Sequence, residues 1–553
     1  MTGGIEFQLF APRLSEVKLI GSFSEWQKIP MQKGEDGYFR ATVKLEDGVH
    51  HYKFRVQSLT EPADRTIEVN DPYVTAIDRE TQNGTVLVKS GQRFSDTYTW
   101  QYDDRKLAAN QDLIIYEMHL ADFCGKDLGT RKTRIQHAID RLDYLSELGV
   151  NAIELMPVTE YAGDYRWGYL VRDYFALESS YGTPQEFKQF VDECHSRGIR
   201  VLMDGIYNHS DENNPLMQID RDYWFYQGMH YPGDSNNYWG PEFNYDNYDD
   251  RLDIKPAWKY IGDVVRFWVS NYHLDGIRFD AVRQLANNDF LKWIAQEAIA
   301  AAGEKPFYNI AEHIPDSPAI TTAQDGPLEA CWHESFRIFA IDAISGKVNF
   351  DKLKEAMNPP QQGYKTASNV INYIASHDRE HPIVELSDRQ ITGKAAFDRA
   401  KLGAVLQMTA VGVPMIWMGD EFGQDTRKAE KVTNPNPLKW SLLEQDLNRD
   451  LFEFYKQIIE LRKQTPALRT DNIDFFHEDI DNTVLGYRRW DDGGSQAAIV
   501  INFSDQDLKD YQCFHFATNT TWKAWRSSHE LKLENDCLTI DLPALTAAIF
   551  INR

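Results

Sequence analysis

The first hundred residues alternate apolar and polar positions in short runs, which is the pattern of strands that bury one face. The runs include VKLIGSF, YFRATVKL and HHYKFRV, and turn-forming stretches such as GEDG separate them. The alternation predicts a small antiparallel β-sandwich over residues 1–100, which ends in a connecting stretch that reads QRFSDTYTWQYDD.

From about residue 112, short apolar runs alternate instead with amphipathic helical segments. Glycines stand where helix C-caps are expected, as at Gly149 and Gly198. About eight strand–helix units follow one another, which predicts an α/β fold of the (β/α)₈ or TIM barrel type. The predicted barrel strands are 113–118, 152–156, 199–204, 274–280, 307–312, 331–336, 369–377 and 413–419.

The segment between the third and fourth predicted strands is much longer than an ordinary connection in such a fold. Loops of this length are usually functional, so the sequence predicts an inserted subdomain at about 209–253 over the mouth of the barrel. Strand patterns return after about residue 470, in TVLGYRRW and QAAIVINFS. The predicted domains are an N-terminal β-sandwich (1–100), a barrel (101–469) and a C-terminal β-sandwich (470–553).

Composition and charge narrow the class of protein. The chain has 553 residues with a formal net charge of −25, and phosphates would be repelled, so no nucleic-acid partner is expected. The N-terminal residues do not read as a signal peptide, and no apolar run approaches the about 18 residues of a membrane span. Five scattered cysteines without a CxxC pair indicate reduced thiols in a cytoplasmic protein.

Aromatic residues are unusually frequent, with 14 Trp, 27 Tyr and 29 Phe. Any single aromatic ring most often fills a core. The segment 221–250, however, is polar and loop-like and still dense in Tyr and Trp: RDYWFYQGMHYPGDSNNYWGPEFNYDNYDD. Aromatic faces beside a few placed polar groups are how small-molecule sites are built, and sugars offer flat C–H faces and hydroxyls. The segment therefore favours a carbohydrate site.

Charged and polar side chains stand at the ends of four predicted barrel strands. In a (β/α)₈ barrel the chemistry gathers at the C-terminal ends of the strands, so these side chains would meet on one rim. Each alone has an ordinary explanation, such as a helix N-cap for an aspartate or a hydrogen-bonded structural histidine. Together they are not explained by structure alone. They are Asp204, Asn208, His209, Arg278, Asp280, Glu312, His377 and Asp378.

Paired carboxylates in sugar-like surroundings indicate chemistry at a glycosidic bond, and the retaining mechanism needs the two carboxyl groups about 5 Å apart. Arg278 and Asp280 are two residues apart in a strand and share one face, and the guanidinium favours an ionised nucleophile. The general acid must stay protonated, so Glu312 is expected in a drier place away from the cation. Asp275, in the same stretch, is expected to be structural.

Four short motifs occur in order: DGIYNH (204–209), DGIRFDAV (275–282), NIAEH (309–313) and YIASHD (373–378). In a barrel of this length they resemble the motifs of the α-amylase superfamily of retaining glycoside hydrolases and transglycosylases. The stretch GSFSEWQ (21–27) is similar to the glycogen-binding-type module of branching and debranching enzymes. The resemblance covers nearly the whole chain.

The resemblance implies a role for each rim residue. Asp280 would be the nucleophile that forms a covalent glycosyl-enzyme, and Glu312 the general acid and then the general base. Asp378 would hold the 2- and 3-hydroxyls of the sugar, and His209 and His377 would bind hydroxyls of the same sugar.

The resemblance also implies the support of the nucleophile. Arg278 would hold Asp280 in place and would itself be paired with Asp204. Tyr169 looks like the family's stacking tyrosine beneath the sugar, and Trp167 stands where many amylases have histidine. No cofactor is implied, although amylases often bind a structural calcium ion at a position that Asn208 matches; further calcium ligands are not traced.

The motifs do not decide whether water or a sugar hydroxyl accepts the glycosyl group. DGIYNHS is similar to neopullulanase-type and debranching hydrolases, which favours an α-glucan hydrolase acting on α-1,4 and possibly α-1,6 bonds of glycogen, starch or maltooligosaccharides. The N-terminal module and ELMPVTEY favour a branching-type transglycosylase, and WGPEFNYDNYD resembles the maltooligosyltrehalose trehalohydrolases. A catalytically inactive glucan-binding relative is the alternative of another class, which would usually lack one of Asp280, Glu312 and Asp378.

Overall fold

The computed structural model describes residues 4–62, 65–94, 97–125, 132–231, 238–516, 521–526 and 532–552. At its centre eight parallel strands close into a barrel in which the last strand pairs with the first. The predicted TIM barrel is confirmed, and a strand lies within each of the eight predicted segments or overlaps it. The barrel strands are Ile115–Met118, Ala152–Leu155, Arg200–Gly205, Gly276–Phe279, Tyr308–Ala311, Ala330–Trp332, Val370–Tyr373 and Val413–Trp417.

One of the eight barrel strands is not followed by an α-helix. The segment after the fifth barrel strand is described throughout, and it holds two 3₁₀ turns, Pro318–Ile320 and Thr322–Gln324, but no α-helix. Prolines at 315, 318 and 327 explain this, because proline lacks an N–H donor and clashes with the preceding turn. The sixth strand is also shorter than predicted, since a helix already begins at Glu334.

The α-helices pack apolar faces outside the barrel strands, and two of them begin with a complete capping box. Thr133 and Thr183 each accept a bond from the third backbone N–H of their helix, and that residue's side chain bonds back to the cap. The α-helices are Leu120–Phe123, Arg134–Asp140, Leu142–Leu148, Pro184–Ser196, Pro215–Trp224, Pro256–Tyr272, Val282–Leu285, Asn288–Ala302, Glu334–Ile344, Phe350–Met357, Pro359–Gln362, Pro382–Asp388, Gly393–Thr409 and Asp446–Gln464.

The residues that face into the barrel change character along the strands. Near the strand starts they are apolar and form one buried cluster that includes Ile115, Ala152, Leu202, Ile310 and Met415. Because side chains alternate with a period of two, the residues two positions later on the same face point inward as well. On the first four strands these later residues are all buried and charged or ionisable: Glu117, Glu154, Asp204 and Arg278.

Two long connections rise from the C-terminal rim. An antiparallel hairpin that the sequence patterns did not predict, Thr159–Tyr161 with Val171–Leu177, follows the second strand. After the third strand, the region predicted as an inserted subdomain contains the helix Pro215–Trp224 and isolated bridges such as Phe225 to Phe243. Residues 232–237 of that prediction lie outside the described residues, and the predicted domain bounds stay predictions.

In the part of the chain that the structure describes, each end forms two antiparallel sheets around a separate apolar cluster. The N-terminal sheets contact the inserted region, where Leu59 N–H donates to the carbonyl of Ile219 at 2.8 Å. None of the described helices is long and apolar enough to cross a membrane. The N-terminal strands are Ile5–Phe10, Val17–Gly21, Ile29–Pro30, Gln32–Lys33, Tyr38–Val43, Gly48–Gln57, Thr66–Val69, Gly84–Lys89 and Gln92–Arg93. The C-terminal strands are Ile473–Asp479, Val484–Trp490, Gln496–Asn502, Leu508–Phe514, Trp522–Ala524, Lys532–Glu534, Cys537–Leu542 and Thr546–Asn552.

Candidate active site

The guanidinium of Arg278 lies at the centre of the candidate site. Its Nη1 donates to both carboxylate oxygens of Asp204 at 2.6 Å and to Oδ1 of Asp280 at 2.9 Å. Its Nη2 lies 3.4 Å from Oε2 of Glu312, and the ring of Trp332 packs 4.5 Å from the guanidinium carbon. One buried cation therefore gathers carboxylates from the ends of three neighbouring barrel strands.

Asp280 stands where the fourth strand turns away from the barrel. The next residue, Ala281, has a left-handed backbone with φ of 49°, which is uncommon for a residue with a side chain. This turn aims the N–H of Ala281 at Oε2 of Glu312, 2.7 Å away. Burial raises the pKa of Asp280 well above its ordinary value and Glu312 adds to the rise, whereas the Arg278 contact opposes it.

The expectation that Glu312 lies in a drier place, away from the cation, is wrong. The side chain of Glu312 is 17% exposed, against 10% for Asp280, and Oε2 is within 3.4 Å of Arg278. The reason is the strand order: Glu312 follows the fifth strand, which is hydrogen-bonded directly to the fourth, so its side chain reaches over Arg278. Asp280, the predicted nucleophile, is therefore more buried in the free protein than Glu312, the predicted acid.

His377 and Asp378 follow the seventh strand and face the same cluster. The His377 ring contacts Oε1 of Glu117 through Nδ1 at 2.6 Å, and Nε2 lies 3.5 Å from Oδ2 of Asp378. Burial lowers the pKa of His377, but Asp378 and Glu117 outweigh it and raise the pKa to about 9. Burial likewise acts to raise the pKa of Asp378, but the cations of His377 and Arg278 bring the net shift below its ordinary value. Asp378 is half exposed at the mouth and ionised.

Tyr169 and Trp167 come from the loop of the unpredicted hairpin. The Tyr169 hydroxyl contacts Oδ2 of Asp204 at 2.7 Å, and its ring stacks on His377 with centroids 5.1 Å apart. Trp167 meets the same histidine ring edge-on at 5.6 Å. Gly168 between them has φ of 93°, and a Cβ there would lie 2.7 Å from Pro157, so only glycine fits this close approach. The loop therefore places both aromatic rings at the site.

His209 is turned toward the protein rather than toward the open mouth. Its buried ring contacts the Tyr169 carbonyl through Nε2 at 2.9 Å and the Asn208 amide through Nδ1 at 3.4 Å. Burial lowers the pKa of His209 to about 4, so the ring is neutral. It supports the Tyr169 backbone, and its contact with a sugar stays a prediction. Trp239, which is 43% exposed, lies 5.5 Å from the His209 ring and adds an aromatic surface at the mouth.

Proteins hold metal ions with sets of His, Cys, Asp and Glu side chains. No group of three or more His, Cys, Asp or Glu residues in the described ranges is placed to hold a metal ion. Asn208, which matches one calcium-ligand position of the amylases, is 2% exposed and its amide contacts His209. The expectation that the protein has no cofactor stays a prediction.

Sequence reasoning missed three residues of this cluster: Glu117, Trp332 and Trp239. Glu117 lies inside an apolar strand two residues after the inward-facing Ile115. A charged residue on the inward face of an apolar strand is the signal that identified Arg278, and it was present at Glu117 too. Trp332 ends the sixth strand, which has only three residues. Trp239 falls in the aromatic segment 221–250, where the composition indicated a carbohydrate site but no individual ring.

An eight-stranded barrel with carboxylates gathered at its C-terminal rim defines an enzyme of the glycoside hydrolase and transglycosylase class. The family model described as Alpha amylase, catalytic domain, matches residues 115–249 and 241–450, and the chain belongs to the α-amylase family. A second model, described as the glycogen recognition site of AMP-activated protein kinase, matches residues 12–73. The expected family and the expected N-terminal module are both confirmed.

The similarity to known proteins covers most of the length of this chain. A 1,4-alpha-glucan branching enzyme GlgB of Bacillus caldolyticus is 28% identical over 548 residues, which cover 92% of this chain and 78% of that protein. A malto-oligosyltrehalose trehalohydrolase of Saccharolobus solfataricus is 24% identical over 521 residues, 83% of this chain and 85% of that protein. The fold is similar to that of a pullulanase from Paenibacillus barengoltzii, with a TM-score of 0.82 at 21% identity, over 99% of this chain and 94% of that one.

Proposed function

We propose that this enzyme cleaves α-1,4 glucosidic bonds of glycogen- or starch-type glucans and maltooligosaccharides with retention of configuration, through a covalent glycosyl-enzyme. The supporting observation is the shared contact of Arg278 with Asp280 at 2.9 Å and Glu312 at 3.4 Å. Two carboxylates on one guanidinium lie on one rim, within reach of one glycosidic bond. We expect their separation to be about 5 Å, the retaining distance.

The chemistry assigned to each carboxyl group follows from its position. In the first step an oxygen of Asp280 bonds to the anomeric carbon while the glycosidic C–O bond breaks, and Glu312 gives its proton to the leaving oxygen. In the second step Glu312 takes a proton from water or a sugar hydroxyl, whose oxygen displaces Asp280 from the anomeric carbon. Asp378, ionised at the mouth, accepts hydrogen bonds from the 2- and 3-hydroxyls of the same glucosyl unit.

Water as the acceptor makes the enzyme a hydrolase, which is our first proposal. Transfer to a glucan hydroxyl, with formation of an α-1,6 branch, is the second candidate. The identity of 28% over 92% of the chain with a branching enzyme favours it. The trehalohydrolase relative supports a third, narrower hydrolase reading in which the released product is trehalose.

Product analysis separates these candidates. We expect incubation with amylose, glycogen, pullulan and maltooligosaccharides to release new reducing ends, and early products to carry the α-anomeric configuration by proton NMR. New α-1,6 linkages without new reducing ends would replace hydrolysis with branching. Initial β-anomers would contradict retention, and absence of turnover on all four substrates would overturn the proposed function.

The N-terminal sandwich is proposed to bind glucan through Trp26. This indole is 42% exposed, with φ of 60°, inside the region that matches the glycogen recognition model. We expect Trp26→Ala to weaken binding to glycogen about tenfold in co-sedimentation while leaving turnover of maltotriose unchanged. Phe514→Ala, which removes a 49% exposed ring from the C-terminal sheets, is the matched control and keeps glycogen affinity. Equal losses in both variants would contradict a specific site.

We also propose a cytoplasmic protein whose partner is the glucan itself, with no nucleic acid or membrane partner. All five cysteines are free, and four of them are buried, which fits a reducing compartment. The net charge of −25 opposes binding to phosphate-rich surfaces.

A further inference from the structure

Behind the rim, Glu117 binds His377 at two points. Its Oε1 lies 2.6 Å from ring Nδ1, and its Oε2 accepts from the backbone N–H of the same residue at 3.3 Å. Glu117 is 2% exposed and comes from the first barrel strand, 260 residues away in sequence. None of the roles assigned so far uses this carboxylate.

The hydrogen bonds around His377 allow one arrangement of protons when Glu117 and Asp204 are ionised. The Tyr169 hydroxyl has one hydrogen, and the Asp204 oxygen 2.7 Å away can only accept it. The Tyr169 oxygen must then accept from His377 Nε2, 2.8 Å away, so Nε2 carries a hydrogen. Glu117 can only accept at Nδ1, so that nitrogen carries a hydrogen too. With both carboxylates ionised, His377 is therefore an imidazolium. Burial raises the pKa of Glu117, and the contact with His377 opposes that rise.

We propose that Glu117 is a positioning residue that holds His377 as an imidazolium beside Tyr169 and Asp378, and thereby sets the upper pH limit of activity. The cation benefits the site in two ways. Nε2 lies 3.5 Å from Oδ2 of Asp378, and the positive charge of the ring lowers the pKa of that carboxylate. The charge also strengthens the bond that Nε2–H donates to the Tyr169 hydroxyl, because charged donors make stronger bonds than neutral ones.

The surroundings of His377 determine the sign of the pH effect. Glu117 and Asp378 raise its pKa against burial and Arg278, to about 9. A raised histidine pKa means that the cation is present at neutral pH and is lost as the pH rises through about 9. Removal of Glu117 should therefore shift the basic limb of the pH–activity profile to lower pH. The ionisable groups that face the ring are Glu117, Glu154, Tyr169, Asp204, Arg278 and Asp378.

Glu154 provides a matched control. It is the Cα partner of Glu117 on the neighbouring second strand, is equally buried at 2% exposed, and makes no hydrogen bond to His377 among the described residues. Burial raises its pKa well above the ordinary value, and Glu117 adds to this. Exchange of Glu154 for glutamine therefore removes no hydrogen bond of His377 among the described residues.

The kinetic test rests on the proposed function. We expect Glu117→Gln to lower kcat/KM on maltooligosaccharides about 10- to 100-fold, the effect of losing a hydrogen bond to a charged group. The basic limb should also move to lower pH. Glu154→Gln should keep the wild-type limb and stay within about twofold in rate. An unmoved limb in Glu117→Gln, or equal shifts in both variants, would overturn the proposal.

A second measurement does not depend on turnover. In an Asp280→Asn background, ring ¹⁵N signals report the protonation of His377 directly, and a His377→Asn variant identifies its signals among those of 15 histidines. We expect an imidazolium at pH 8 with Glu117 and a neutral ring after Glu117→Gln. A neutral ring at pH 8 in the presence of Glu117 would overturn the proposal even if the enzyme is active. An inactive wild-type protein with an imidazolium would overturn only the proposed function.

Discussion

Asp280→Asn should lower kcat on maltooligosaccharides on the order of 10⁴-fold or more, while leaving the free energy of unfolding unchanged or higher. The amide cannot form the covalent bond to the anomeric carbon. Its oxygen, however, can still accept from Nη1 of Arg278, which lies 2.9 Å from the carboxylate. Burial raises the pKa of Asp280, so the ionised form is destabilised in the folded protein and its removal costs no stability.

Asp275→Asn is the matched control from the same stretch of sequence. Asp275 is fully buried, and its Oδ2 contacts Nε2 of His195 and accepts from the N–H of Val201, both at 2.8 Å. We expect this variant to keep turnover and to lose about 1–3 kcal/mol of stability, measured by chemical denaturation. The two variants should thus show opposite signatures. Turnover in Asp280→Asn within about tenfold of wild type would exclude Asp280 as the nucleophile.

Much of the fold could be predicted because a barrel strand leaves a simple signature, a short apolar run with a helix on either side. The rule that barrel chemistry gathers at the strand ends then predicts from sequence alone that Asp204, Arg278, Asp280 and Glu312 lie together. The absence of a helix after the fifth strand also has a signal in the sequence, since prolines stand at 315, 318 and 327. The hairpin that carries Tyr169 was not, because its first strand has only three residues and two register irregularities.

The interior of the site could not be predicted to the same depth. The Glu117–His377 contact joins the first barrel strand to the end of the seventh. The sequence LIIYEM does not indicate that Glu117 has a partner 260 residues away. The environment of Glu312 was predicted wrongly, because burial of a rim side chain depends on how far it leans over the neighbouring strand. Sequence motifs specify which groups meet, whereas their relative burial and proton positions follow from side-chain packing.

Glu312→Gln should lower kcat/KM on maltooligosaccharides by about 10²- to 10⁴-fold, the range of lost general acid catalysis. The glutamine still contacts the N–H of Ala281, 2.7 Å from Oε2 in the native protein, so the turn after Asp280 should stay intact. The loss should be much smaller in the first step with α-maltosyl fluoride, because fluoride leaves without a proton. The remaining block is the second step, in which water has lost its base.

Azide identifies that block chemically, because it needs no general base to attack the glycosyl-enzyme. We expect added azide to restore turnover of α-maltosyl fluoride by Glu312→Gln and to yield α-maltosyl azide, the product of two inversions at the anomeric carbon. Asp280→Asn cannot form the glycosyl-enzyme, so it should not give the α-azide. A β-azide from Glu312→Gln would indicate direct displacement and contradict retention. Absence of rescue with full activity toward the fluoride alone would show that Glu312 is not the base of the second step.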